Sequence, residues 1–190
     1  EDIAMMRAVA GSTVLYPADA VAAERLVVKA AAHRGIVYIR TARPKTPVLY
    51  GPDEKFEIGG LKVLRKDPAD ALTVVGAGVT LYEALKAHDA LKAKGILVRV
   101  VDLYSVKPLD REALLREARA TRGTVLTVED HYPEGGIGEA VAAALSPEGI
   151  RVHRLAVREL PRSGLAPELF EAFGISAGAI AAKVAEVAKA

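Results

Sequence analysis

The feature that most constrains this chain is a rhythm. Short, almost uninterrupted apolar runs alternate with Ala-rich segments that tend to end at glycine. Ile36-Val37-Tyr38-Ile39, Leu72-Thr73-Val74-Val75 and Thr124 to Val128 carry too few polar residues to leave one face in water. Strands of this kind belong in sheets covered on both faces. Strands alternating with helices predict an α/β fold, a three-layer sandwich around a mostly parallel sheet.

The rhythm breaks once. Pro44 to Gly60 contains Pro44, Pro47, Gly51, Pro52, Asp53, Gly59 and Gly60, the clearest linker in the chain. Before it, Ser12 to Leu15 reads as a strand, Asp19 as a helix N-cap, Ala20 to Ala32 as a helix and Ile36 to Ile39 as a second strand. That is one βαβ unit, with the right-handed crossover such units adopt. After it, strands are expected at Leu61–Leu64, Leu72–Val75, Leu97–Val101, Thr124–Val128 and Val152–Val157. Helices are expected from a Thr80 cap to about Ala93, from Leu109 through Ala120, and at Gly138–Leu145, Pro167–Phe173 and Ala179–Lys189.

Composition narrows the function classes. Hydrophobic residues make up 51% and aromatics only 5%, with no Trp, so the core must be built from Ala, Val, Leu and Ile. Lys plus Arg number 26 against 24 Asp plus Glu, a formal charge of +2. Such a balance argues against nucleic-acid or membrane-surface binding. With no cysteine, disulfides, thiolate chemistry and Cys-based metal sites are excluded, which fits a cytoplasmic location. No apolar run reaches the ~18 residues a membrane helix needs. The opening Glu1-Asp2-Ile3-Ala4-Met5-Met6-Arg7 reads as structure already under way, which suggests a fragment of a longer protein.

Several constellations could carry chemistry. Gly76-Ala77-Gly78 lies between a strand and a helix, yet Leu81 stands where a dinucleotide fingerprint needs its third glycine. A tight turn explains the pair as well. Val128-Glu129-Asp130-His131-Tyr132 ends a strand, where ligands gather in parallel sheets, and so admits a metal or acid–base site. Organising a turn and a subunit contact is the alternative. Gly135-Gly136-Ile137-Gly138 opens a helix and could hold an anion through free N–H groups, though Glu134 and Glu139 flank it. Close backbone packing would also account for it. His33, His88 and His153 stand singly, without a partner at metal-ligand spacing.

Arg40 and Arg43 follow the second strand in Arg40-Thr41-Ala42-Arg43-Pro44. A guanidinium fork matches phosphate oxygens, and Pro44 would stiffen the chain beside Arg43. Side chains alternate along a strand, so only one of the two should reach a crevice above the sheet.

Taken in order, these stretches resemble a known family. Glu1 to Arg7, Ser12 to Asp19, Ile39 to Pro44, Val75 to Leu81, Lys107 to Asp110, Val128 to Ala140 and Leu160-Pro161-Arg162-Ser163-Gly164 are similar to transketolases, particularly the form that includes the animal enzymes. The resemblance covers essentially the whole chain. It implies that residues 1–50 are the tail of a pyrimidine-binding domain, 51–60 a linker and 61–190 a transketolase C-terminal domain. It implies transfer of a two-carbon ketol unit from a ketose phosphate to an aldose phosphate, in a homodimer using thiamine diphosphate and Mg²⁺ or Ca²⁺. Most residues for cofactor, metal and substrate would lie outside this chain, on the same or a second polypeptide, leaving the fragment inactive by itself. Arg43 alone matches a functional position of the family, the arginine that holds the substrate phosphate, with Arg40 the runner-up. Deoxyxylulose-phosphate synthase and the β subunit of 2-oxoacid dehydrogenases share this terminal domain and are the alternatives.

Overall fold

A computed structural model describes residues 1–43 and 45–188. Pro44, expected to brace Arg43, lies outside them, as do Lys189 and Ala190. Two sheets form. The smaller has the order β2-β1-β6 and the larger β3-β5-β4-β7-β8.

In the small sheet, β1 (Thr13–Leu15) pairs in parallel with β2 (Val37–Ile39) across α2 (Ala20–Ala32), the expected βαβ unit. Asp19 caps α2, one carboxylate oxygen accepting from Ala22 N at 2.8 Å. The other accepts from Leu49 N at 2.7 Å and Tyr50 N at 3.0 Å, so the cap also holds the middle of the long connection between β2 and the second block. Ahead of the unit, α1 (Asp2–Ala8) buries Ile3. The third strand was not expected. β6 (Ser105–Lys107) comes from beyond the linker and pairs antiparallel with β1, Leu15 opposite Ser105.

The large sheet contains β3 (Lys62–Arg65), β4 (Thr73–Gly76), β5 (Arg99–Asp102), β7 (Thr124–Val128) and β8 (Arg151–Leu155). It is parallel except at β3, which runs antiparallel along β5. Alternation along the strands sends Val74, Val100 and Leu126 to one face and Val75, Val101 and Val125 to the other. The first face packs on α3 (Val79–Lys92) and α7 (Ala177–Val187), through Leu81, Ala84, Ile180 and Val184. The second packs on α4 (Arg111–Arg119) and α5 (Ile137–Leu145), through Leu114, Ala118, Val141 and Leu145. This is the three-layer sandwich expected. A short helix, α6 (Ala166–Ala172), precedes α7.

Residues 51–60 hold no helix or strand, but they are not loose. Phe56 is buried and packs edge-on between Tyr50 and Tyr104, both ring centroids 4.9 Å away. That cluster includes Leu15 and Leu26 of the first block, so the two blocks share apolar core. Among the described residues, no helix is long and apolar enough to cross a membrane.

Candidate functional site

The strand-end residues expected to carry chemistry converge where the two blocks meet. β2 ends at Ile39, and Arg40 turns inward over the Tyr16 ring, its guanidinium carbon 4.7 Å from the centroid. Arg40 Nη1 lies 2.8 Å from Asp130 Oδ1 and Nε lies 3.1 Å from Asp2 Oδ2. Tyr16 donates its hydroxyl to Asp130 at 3.0 Å, and Tyr38 donates to Asp2 at 2.8 Å. Burial works against the charge on Arg40, but Asp130, Tyr16 and Asp2 together raise its affinity for the proton. Burial, then the Asp130 carboxylate, pushes Tyr16 far above its ordinary range, so it remains a phenol. Arg40 is thus a structural cation between α1, β1 and the end of β7.

Beside this cluster opens a cavity of about 360 Å³. Its lining includes Arg40, Thr41, Ala42 and Arg43, then Asp130, and Pro161 and Arg162 from the segment before α6. The expectation that Arg40 and Arg43 point apart does not hold: both line this one space. Strand alternation ceases at Ile39, and residues 40–43 have no strand geometry to impose it. The two differ in engagement instead. Arg40 is committed to two carboxylates, whereas Arg43 is exposed and forms no ion pair among the described residues.

The glycine-rich segments prove to be packing devices. At Gly78 (φ +53°) an added Cβ would lie 2.0 Å from the Tyr16 ring, so this glycine lets Tyr16 reach Asp130. A tight approach, not a dinucleotide, is what the pair serves. The N-terminus of α5 does hold an anion, and the anion is internal. Glu129 accepts from Ile137 N at 2.5 Å and from Gly138 N at 3.0 Å. A Cβ on Gly136 would fall 2.0 Å from that carboxylate. Burial pushes Glu129 up to about 7, against the pull of the two amides. With Glu129 seated there, the helix end has no vacancy for a phosphate.

His131 is likewise occupied. Its Nε2 accepts from Ala4 N at 3.3 Å and its Nδ1 donates to Tyr132 O at 2.8 Å, which fixes one neutral tautomer. Arg7 donates to the carbonyls of Gly135 and Gly136, tying α1 to the same turn. Of the two readings of Val128–Tyr132, the geometry fits the turn, with its contact inside this chain. His33 faces Thr13 and His88 faces the Val98 carbonyl. Among the described residues, no group of three or more His, Cys, Asp or Glu could hold a metal ion. The described residues thus gather no cluster of acids or histidines of the kind that would hold a Mg²⁺ ion beside a diphosphate.

Two buried charge arrangements escaped sequence reasoning. Arg99 Nη1 meets Glu117 Oε2 at 2.6 Å and its Nε meets Asp70 Oδ2 at 3.3 Å, all three side chains buried. Asp102 is fully buried, accepts the Tyr50 hydroxyl at 2.5 Å and has no partner for Oδ1. Its partner is a tyrosine of the connection between the two blocks.

Comparison with known proteins agrees with this architecture. Residues 61–180 match the family described as "Transketolase, C-terminal domain". The chain is 55% identical over 177 residues to transketolase-like protein 1 of Bos taurus, covering 93% of this chain and 30% of that protein. To human transketolase it is 53% identical over 185 residues, covering 97% of this chain and 30% of the relative. The chain thus spans about 30% of the length of these curated relatives. A solved structure titled "Split gene transketolase, inactive beta4 tetramer" superposes with a TM-score of 0.90 at 41% identity, covering 100% of this chain and 61% of that one.

Proposed function

Because the chain belongs to the transketolase family, we propose that it is the C-terminal part of an enzyme moving a two-carbon ketol unit from a ketose phosphate to an aldose phosphate. In this reading residues 1–50 complete a pyrimidine-binding domain, 51–60 link it, and 61–190 form the C-terminal domain. Thiamine diphosphate would supply the carbanion chemistry, held with its Mg²⁺ or Ca²⁺ by polypeptide outside this chain. The complete enzyme would be a cytoplasmic homodimer acting in sugar-phosphate metabolism.

The observation that carries the site assignment is the contrast between the two arginines on one cavity wall. Arg40 is neutralised by Asp130 and Asp2, while Arg43 is exposed toward the same space. An unpaired guanidinium keeps its fork of donors available for phosphate oxygens. Arg43 is therefore the substrate-phosphate ligand in this proposal. Arg40, the runner-up, holds the wall on which Arg43 stands.

The test uses the complete enzyme. Arg43→Ala should weaken turnover of phosphorylated substrates by roughly 2–4 kcal/mol, on the order of a hundredfold in kcat/KM. Unphosphorylated analogues should be nearly unaffected. Equal losses with both substrate classes would remove Arg43 from the phosphate role. A parallel assay of this chain alone, with thiamine diphosphate and Mg²⁺, should show no ketol transfer. The 41%-identical neighbour is itself titled inactive, which supports that expectation.

A further inference from the structure

The chemistry of the Arg43 cavity is broader than a sugar phosphate needs. Part of its lining is apolar, built from Leu169, Phe170, Phe173 and Ile175. The first three of these are only partly buried, so the cavity leaves aromatic surface in contact with water. Arg162 lines the same cavity. It is exposed, and its nearest acid, the equally exposed Glu159, is 4.0 Å away, a pairing that contributes little in water. Asp130, the acid within the cavity, is already taken by Arg40 and Tyr16. At about 360 Å³ the space lies within the range of small-molecule sites, which combine apolar walls with a few placed polar groups.

We propose that this cavity binds a small amphipathic anion, with a flat apolar body against Phe170 and Phe173 and an oxyanion head between Arg43 and Arg162. Neither half suffices. The exposed guanidinium groups are screened by water and hold a bare anion weakly, while the open apolar wall does not orient an uncharged ring. Joined in one molecule, each half places the other at its partner. The site stands on the cavity's own geometry and does not depend on Arg43 holding the substrate phosphate. Where Arg43 does so, a ligand here competes with phosphorylated substrate.

The probe is 1-naphthyl phosphate, titrated into this chain by calorimetry, with 1-naphthol and inorganic phosphate as separate arms. One saturable site is expected for the naphthyl phosphate, with each component alone at least about tenfold weaker. Arg162→Ala, at an exposed position, should weaken binding about threefold to fivefold. Ala166→Phe, which fills the cavity from the first turn of α6, should abolish it with the circular dichroism spectrum unchanged. If that variant misfolds, Arg162→Ala decides by itself. No saturable binding, naphthol binding as tightly as its phosphate, or an affinity untouched by Arg162→Ala would each overturn the proposal.

Discussion

The two sheets meet their needs in different ways. The five-stranded sheet has helices on both faces, and its internal charges are answered from within: Arg99 by Asp70 and Glu117, and the N-terminus of α5 by Glu129. The three-stranded sheet borrows β6 from beyond the linker and leaves β2 at an open edge. Val27, Val28 and Ile36 of that block stand exposed. An unpaired edge beside apolar side chains is what proteins ordinarily cover. The first region draws its order from contacts with the second, chiefly Asp130, His131 and the Tyr50–Phe56–Tyr104 cluster. The candidate site lies on the seam between them.

The most severe test of self-sufficiency is to remove the central cation of the large sheet. Arg99→Leu would leave the buried Asp70 without a counter-ion and Glu117 with only the exposed Arg116 and Lys66, a loss of roughly 3–5 kcal/mol. Urea unfolding followed by circular dichroism should show a midpoint lowered accordingly. Because the small sheet leans on the large one, both should unfold together. Persistence of protected β1 and β2 amides after the large sheet has melted would break the comparison.

How much of this was legible beforehand follows from what each feature depends on. The βαβ unit and the strands of the large sheet were legible because apolar runs and glycine stops are local. β6 was not: Ser105-Val106-Lys107 has no run to mark it, and its partner lies some ninety residues earlier. The filling of the α5 N-terminus by Glu129 was hidden for another reason: an anion from within looks in sequence like an empty site. Gly136 and Gly138 make room for that carboxylate, since a Cβ on either would fall within 2.8 Å of it. Arg40 and Arg43 were separated wrongly because alternation was extended past the last strand residue. Their residue type and neighbourhood were legible, but which of them is neutralised depended on Asp2 and Asp130 arriving from elsewhere.

A gentler variant addresses the seam. Asp130→Asn keeps the shape and a carbonyl acceptor but removes the charge facing Arg40, which is left with Asp2. The loss should be about 1–3 kcal/mol, the range for hydrogen bonds to charged groups and for groups left partly unsatisfied. Hydrogen exchange should locate it. Amides of α1, β1 and β2 should exchange faster, while those of β4, β5 and β7 hold. Uniform acceleration through both sheets would mean that Asp130 serves the large sheet equally and that the regions are not separable in this sense.

The last effect concerns pH and the attachment of the linker to the large sheet. Burial pushes Asp102 up to about 7, with the Tyr50 hydrogen bond and Lys62 pulling it down and Asp19 pushing it further up. The sign follows from proton counts. Below about pH 4 the carboxyl is protonated whether the chain is folded or not, so no penalty arises. Between there and pH 7 the unfolded chain gives up a proton that the folded chain keeps, so stability falls as pH rises and levels off above 7. Asp102→Asn should remove this part of the slope, roughly 2–3 kcal/mol between pH 5 and pH 8. The slope, not the absolute stability, is the readout, because the new amide would place its NH₂ or oxygen where Oδ1 has no partner. Matched urea titrations at the two pH values measure it. An unchanged slope would mean that Asp102 is ionised throughout that range, and that Tyr50 is held to the sheet by a charge-assisted bond, with no protonated carboxyl involved.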